Sequence, residues 1–412
     1  MPVTSANLAA DVGKFISDTL IERSTLIHRF PQFANKISLT AGMGKTAEFI
    51  KYNRTDVPTD KLVEGVTPSE TPFTISRQTI TVDQWGMYIT LTDVGIVTTK
   101  HPVLNEALDL VADAIARTQD YQFAEVLNAG TNVQFYDGSR LSRGAITLAD
   151  TFKSAVFDRA RTNMNTLGVP GYSGDMFAAL VGPEVEADIL ADPTAVTSFS
   201  AAQLAQGADK LENGKVGKWR GIELFRSNFM PRFTRIATVG APVAATGGSL
   251  TGTVYHKVTR KNLARGFEED IQVEASTVMS TNTRLTFTAP ATAGYVYNVY
   301  AGSLTGDANM FLARENLPAS TAFNLDSLPT SGQTSPATPA AGVTVHPVYI
   351  FAKNGLDWVE LNELAMKGTI TPAGATDSDP LSQRRKVGTK YMAKAGIRDN
   401  DRVKRIELAS GF

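Results

Sequence analysis

One stretch constrains this chain more than any other: residues 45–93 read as a single, very long β-hairpin with a polar tip. The rising arm is KTAEFIKYNR, the tip DVPTDKLVEGVTPSETP and the returning arm FTISRQTITVDQWGMYITLTDV. On the returning arm Trp85, Met87, Ile89 and Leu91 fall on one face and Gly86, Tyr88 and Thr90 on the other, the period of two expected of a strand. Pro58, Pro68 and Pro72 hold the tip to irregular or edge geometry, because proline cannot donate to a ladder. A two-stranded arm cannot cover its own faces and is marginal alone in water. A second copy of the chain is the simplest cover. Contacts between copies are expected at Lys51, Arg54, Lys61 and Glu64 on the arm and at Trp85 and Met87 on its return.

Composition narrows the class. A chain of 412 residues, 42% hydrophobic and 20% charged, can bury a sizeable core in two or three domains. A net charge of -1 argues against a dedicated nucleic-acid binder. Cysteine is absent, which excludes disulfides and thiolate metal sites and suits a reducing compartment. The first residues, MPVTSANLAADVGKF, lack the basic-then-apolar layout of a signal peptide, and no apolar run is long enough to span a bilayer. A cytosolic protein made without export is expected.

Residues 102–128 carry the strongest helix signal. Leu104, Leu108, Val111, Ile115 and Thr118 form a stripe at three-and-four spacing, Pro102 suits the first turn and Gly130 the stop. Roughly 27 residues make a rod of about 40 Å. The chain then alternates as an α/β domain does, with a helix over 147–168, a buried strand over 175–182, a short helix over 183–192 and a strand over 217–228. The matching strand comes only at 346–361. Between them, residues 234–345 are rich in Thr, Ala, Gly, Ser and Pro and carry runs such as TGTVYHKV and YVYNVYAG, the pattern of an inserted β-sandwich. Residues 328–342, LPTSGQTSPATPAAG, read as its return linker.

No catalytic constellation emerges. GMGKT at 42–46 has the end of a phosphate-binding loop, but Leu39 stands where the first glycine belongs and EFIKY reads as a strand rather than the required helix. A glycine hinge at the base of the hairpin is the better account. His28, His101, His256 and His346 lie too far apart for ligand spacing and read as packed or surface histidines. GYSGD at 171–175 lacks the nucleophile-elbow spacing, so Ser173 reads as a turn residue. Glu268, Glu269 and Asp270 read as a solvated loop. The closing segment is basic, with Arg384, Arg385, Lys386, Lys390, Lys394, Arg398, Arg402, Lys404 and Arg405 against Asp399 and Asp401. It reads chiefly as a solvated face, with phosphate contact without base readout as the alternative.

The order of these parts resembles the major capsid proteins of tailed bacteriophages, which have the Hong Kong 97-type fold. The resemblance rests on the hairpin ending in LVEGVTPSETP, the LTDV block, the long helix ending in AEVLNAGTN and the closing PLSQRRKVGTKYMAKAGIRDNDRVKRIEL. It covers almost the whole chain except 234–345. It implies an α+β subunit with an N-terminal arm (1–44), an E-loop hairpin (45–98), a spine helix and peripheral domain (99–146) and an axial α/β domain (147–233). The inserted β-sandwich-like domain (234–345), an axial return (346–370) and a closing peripheral segment (371–412) complete it. The implied function is non-catalytic: an icosahedral shell of hexamers and pentamers around a phage genome, in a virion made in the bacterial host cytoplasm. The implied partners are other copies, a portal, scaffolding or decoration proteins, and packaged DNA held non-specifically. No cofactor, metal, membrane or small-molecule substrate is expected. Lys14, Arg23, Arg29, Arg384, Arg385, Lys386 and Arg398 are the candidates to face interior phosphates. A tail-tube or surface-display protein shares the β insertion without the spine helix; a P-loop nucleotide-binding enzyme is the remote alternative.

Overall fold

A computed structural model describes residues 29–40, 42, 44–53, 55, 57, 61, 64, 67, 70–99, 102–192, 215–219, 221–237, 241–279, 283–361, 367–371 and 383–412. Lys14, Arg23, His28, Arg54, Pro58, Pro68 and His101 lie outside the described residues. The described chain falls into two compact units, one holding Ala34–Ile115 and Leu356–Asp399, the other the segment ending at Phe33 with Ala116–Gly355 and Asn400–Phe412.

The first unit corrects the single long hairpin. Thr46–Tyr52 pairs with Ile75–Thr81, but the next strand, Asp83–Thr92, leaves that ladder and pairs with Arg384–Ile397. The break is at Val82, which is buried and whose N–H donates to the Lys45 carbonyl at 2.9 Å. The physical reason is cover. Paired only with the rising arm, Ile89 and Leu91 would stay wet; in the sheet they pack with Val387 against Ala107 and Val111 of the long helix. Arg384–Ile397 is the hub of a five-stranded sheet that also takes in Leu356–Leu361, Lys367–Thr371 and Ala34–Leu39. The hairpin's base is buried through Ala47, Ile80 and Val82, packed with Val359 and Met392.

The long helix spans Val103–Ala129, as its apolar spacing predicts. The preceding short helix, Asp93–Thr98, is capped by Thr92, whose Oγ1 accepts from the Gly95 N–H at 3.2 Å.

The second unit is built on a six-stranded mixed sheet ordered Val133–Phe135, Val403–Ala409, Val345–Phe351, Phe177–Val181, Ile222–Arg226, Lys215–Trp219. Helices Ser154–Thr166 and Pro183–Ala191 cover one face, burying Val156, Phe157, Met164, Val185 and Ile189 against Ala179, Leu224, Ile350 and Ile406. On the other face Phe33 stacks on Phe351 at 4.6 Å and meets Phe225 edge-on at 5.2 Å, while Phe30 lies 5.7 Å from Tyr349. Three sequence boundaries change. The helix expected from 147 begins at Ser154, because Asp150 turns back to accept from the Thr147 N–H at 2.7 Å. Residues 217–228 and 346–361 each hold two strands, divided at Gly221 (φ 82) and Asn354 (φ 58), left-handed conformations that break a ladder.

The insertion is a β-sandwich-like module. One sheet contains Gly252–Asn262, Glu268–Gln272, Ala275–Met279, Tyr295–Gly302 and Phe311–Pro318, joined at its edge by Thr234–Ile236; the other contains Val243–Ala245, Arg284–Thr288 and Ala322–Leu325. Val254, Leu285, Phe287, Tyr297, Val299 and Leu325 close the space between them. A void about the size of one water lies beside Phe287 and Tyr297. The return segment is strapped down rather than loose: the Pro336 carbonyl accepts from Lys257 at 2.6 Å, that of Ala337 from Arg143 at 3.0 Å, and Thr338 donates to the Gln272 carbonyl at 3.1 Å. Glu268–Asp270 is likewise no solvated loop. It is a partly buried strand in which Asp270 pairs with Arg260 at 2.7 Å and Glu269 with Arg265 at 3.1 Å. Arg260 comes from the strand paired beside it and Arg265 from four residues upstream, so the burial of these carboxylates follows from the pairing of the strands.

Candidate assembly surfaces

The arm presents an uncovered apolar face. Register puts Ile50, Tyr52 and Ile75 on one side of the hairpin, opposite the face that Ala47 and Ile80 bury. Tyr52 is 68% and Phe73 65% exposed, with their rings 6.2 Å apart. Large apolar side chains grouped on one side of a ribbon mark a contact surface rather than scatter. The contacts expected from sequence on this arm are its charged residues and do not include these four, for which the alternation at 50 and 52 and at 73 and 75 is the signal.

The charged candidates fare differently from one another. Lys51 is already engaged, with its Nζ 2.8 Å from Asp399. Lys61 and Glu64 are exposed in the tip. Trp85 is partly buried, and its indole N–H is enclosed without an acceptor. Met87 is 36% exposed.

The sheet around Arg384–Ile397 has one face under the long helix and one face partly open. On the open side Tyr88 sits opposite Gly388, flanked along the strand by Lys386 and Lys390, with the Lys386 ammonium 5.9 Å from the Tyr88 ring. Gly388 is required here, since a Cβ would come within 2.8 Å of that of Tyr88. Arg384, Arg385 and Lys386 are exposed. Arg398 instead donates to the buried carboxylate of Asp357 at 2.7 Å and lies 4.8 Å over the Phe49 ring. Arg29, the one N-terminal phosphate-facing candidate among the described residues, is partly buried.

The deepest charges are structural. Glu407 accepts a two-pronged bond from Arg143, at 2.6 and 2.8 Å, and Arg405 lies 2.9 Å away. Burial pushes the Glu407 carboxyl up, but the two guanidiniums outweigh it and hold it below the ordinary carboxylate value. Arg143 also lies 3.8 Å over the Phe233 ring and so joins both ends of the insertion to the central sheet.

The remaining chemical motifs are placed as packing. Gly42 and Gly44 have φ of 85° and 82°, and a strand begins at Thr46 where a phosphate-binding loop would start a helix. His256 bonds Thr277 at 3.1 Å and is held down to about 4 by burial; burial also lowers His346, opposed by Glu184 at 4.0 Å. Ser173 exchanges two backbone bonds with Met176 in a tight turn. Among the described residues no three His, Asp or Glu side chains converge as metal ligands, and no helix is long and apolar enough to cross a membrane.

Comparison with known proteins agrees with this geometry. The family model described as phage capsid protein matches residues 76–301. A search of curated proteins finds no significant match. Solved structures with the same fold include the capsid of Ralstonia phage GP4, with a TM-score of 0.56 at 12% identity, covering 97% of this chain and 95% of the other. The cyanophage Pam1 capsid asymmetric unit gives 0.56 at 13% identity, covering 97% of both chains. The cyanophage P-SCSP1u capsid gives 0.54 at 13% identity, covering 97% of this chain and 93% of the other. With the family model spanning more than half of the sequence, this chain belongs to the phage capsid protein family: it is a major capsid protein, a structural component of the virion, with the Hong Kong 97-type fold.

Proposed function

We propose that copies of this subunit close into hexamers and pentamers of an icosahedral shell by laying the arm over a neighbouring subunit. The observation that carries this reading is the exposed apolar face of Ile50, Tyr52, Phe73 and Ile75, which the other described residues leave uncovered. A head-to-tail contact of this kind joins two different surfaces and generates closed rings when the rotation closes. The subunit boundaries proposed take 45–98 as the E-loop segment, of which only the part up to Thr81 is hairpin, with 99–146 and 371–412 as peripheral domain and 234–345 as a module on the outer surface. The subunit is non-catalytic in this reading, made in the bacterial host cytoplasm, and completed by a portal and by scaffolding or decoration proteins.

The genome side follows from charge. Repulsion between an acidic wall and packaged DNA would be costly at short range. Lys14, Arg23, Arg29, Arg384, Arg385 and Lys386 are proposed to meet phosphates without base readout, whereas Arg398 serves first as the partner of Asp357. Isolated subunits should then bind DNA weakly and lose it in moderate salt. Electron microscopy of purified protein tests the main reading. Closed polyhedral shells are expected, and their loss on replacing Tyr52 and Phe73 together by serine; shells of normal yield from that variant would overturn the role of the arm.

A further inference from the structure

The basic closing segment carries no aromatic residue between Arg384 and Lys390, yet the fold supplies one from a strand distant in the chain. Across the ladder Tyr88 sits opposite Gly388, Gly86 opposite Lys390 and Thr90 opposite Lys386, so the two lysines flank the ring on the diagonals. Tyr88 is 69% exposed, and the Lys386 ammonium lies 5.9 Å from the centre of its ring. The two glycines keep this part of the sheet flat. A Cβ on Gly388 would come within 2.8 Å of that of Tyr88, and one on Gly86 within 2.9 Å of the Thr389 carbonyl oxygen. No side chain therefore leans on the ring from directly across the ladder. At one end the hairpin's base closes the same face over Met392 and Gly396 through Ile80, and Lys394 is held by Asp83 at 2.9 Å. Toward Arg384 the face is open and of one sign. Lys386 and Lys390 are exposed, and Gln84, Gly86, Thr90 and Thr92, which share the side of Tyr88, are all uncharged. The strand paired beyond, Lys367–Thr371, has the sequence KGTIT and no acidic residue. Among the described residues neither Lys386 nor Lys390 has a carboxylate partner.

We infer that this face is a binding platform for single-stranded nucleic acid, on which a base stacks on the Tyr88 ring while the adjoining phosphates lie against Lys386, Lys390 and Arg384. Such a platform needs an aromatic ring free of cover, cations spaced beside it, and no carboxylate to repel the strand. The sheet has all three. Stacking tolerates any sequence, because every base has a π-face, so the contact carries no base readout. It does separate strand types. In a duplex the bases are stacked on one another and closed to the ring, so paired DNA meets only the cations. The near-neutral balance of the whole chain does not oppose this, since charges beyond a Debye length, about 8 Å at physiological ionic strength, are largely screened. A protein partner would need an apolar centre around the ring, whereas Tyr88 is bordered by lysine, glycine and threonine. The platform rests on the phosphate contact proposed for Arg384 and Lys386, and adds to it the stacked base and the strand type.

Fluorescence anisotropy of a labelled oligothymidylate of about 15 nucleotides, titrated with the full-length subunit at low salt, tests it. Tyr88→Ala should weaken binding by about fivefold to a hundredfold and leave the salt dependence unchanged. Tyr88→Phe should keep the parent affinity, since the ring and not the hydroxyl stacks. Lys386→Gln with Lys390→Gln should lower the slope of log affinity against log salt by about 1.4. A duplex of the same length should bind with no response to Tyr88→Ala. Equal single-strand affinity for Tyr88→Ala and the parent overturns the platform; the phosphate contact then stands alone if the lysine pair still lowers the slope, and falls with it if not. No binding by the parent at low salt also overturns it, and loss of shells from Lys386→Glu with Lys390→Glu would then mark the face as a contact between copies. Should Tyr88→Ala fail to fold, ultraviolet cross-linking of the parent to the same strand decides. Cross-links in the peptide that holds Tyr88 support the platform, and cross-links confined to other peptides refute it.

Discussion

The arm and the inserted sandwich are both made of short alternating strands, yet one leaves its apolar residues in water and the other closes over them. In the arm, Tyr52, Phe73 and Ile50 remain more than half exposed; in the sandwich, Phe287, Tyr297 and Leu325 are at most 3% exposed. The difference is the number of layers. A two-stranded ribbon has no second sheet to pack on, whereas the insertion brings a three-stranded sheet against a larger one. Substitutions in the sandwich should therefore be felt by the subunit, and substitutions in the arm by the assembly.

The largest effect is expected at Phe287→Ala, which should destabilise the subunit by about 3–5 kcal/mol in denaturant unfolding, because the ring is buried between the two sheets. A cost below about 1 kcal/mol would mean that the sandwich is not a closed core. Next comes Arg143→Met, expected to cost about 3 kcal/mol by depriving buried Glu407 of its two-pronged partner and freeing the Ala337 end of the strap. The same ion pair gives a pH signature. The Glu407 carboxyl is lowered, so its contribution is present above the ordinary value of 4.5 and lost as pH falls below it; Arg143→Met should flatten that acid limb.

Trp85→Asp should have an intermediate effect of about 1–2 kcal/mol, since the side chain is only partly buried, and should assemble poorly while remaining soluble. Normal shells from it would remove Trp85 from the contact surface. The smallest effect on the subunit is expected for Tyr52→Ser with Phe73→Ser, within about 0.5 kcal/mol of the parent, combined with loss of shells by light scattering and microscopy. A large loss of subunit stability from that pair would erase the contrast between arm and sandwich.

What could be read from the sequence was whatever repeats locally. The apolar spacing of Leu104, Leu108, Val111 and Ile115 and the flanking Pro102 and Gly130 locate the helix observed over Val103–Ala129. Alternation marks Thr46–Tyr52 and Ile75–Thr81 as strands, and the shift to Thr, Ser and Gly marks the insertion. The order of these blocks suffices for the family. Pairing was not legible in the same way. That Asp83–Thr92 turns from the hairpin to Arg384–Ile397, about three hundred residues on, depends on which strand lets Ile89 and Leu91 be covered by the helix.

The sequence by itself determined the elements, their order and the family, because period, capping and turn chemistry act over a few residues. Only the tertiary structure decided which charges are sites and which are struts. Asp357 draws Arg398 out of the basic tail, Asp399 takes Lys51 from the arm, and Glu268–Asp270 become strand rather than loop. The physical reason is that a charge is judged by what surrounds it, and those surroundings are assembled from strands distant in the chain.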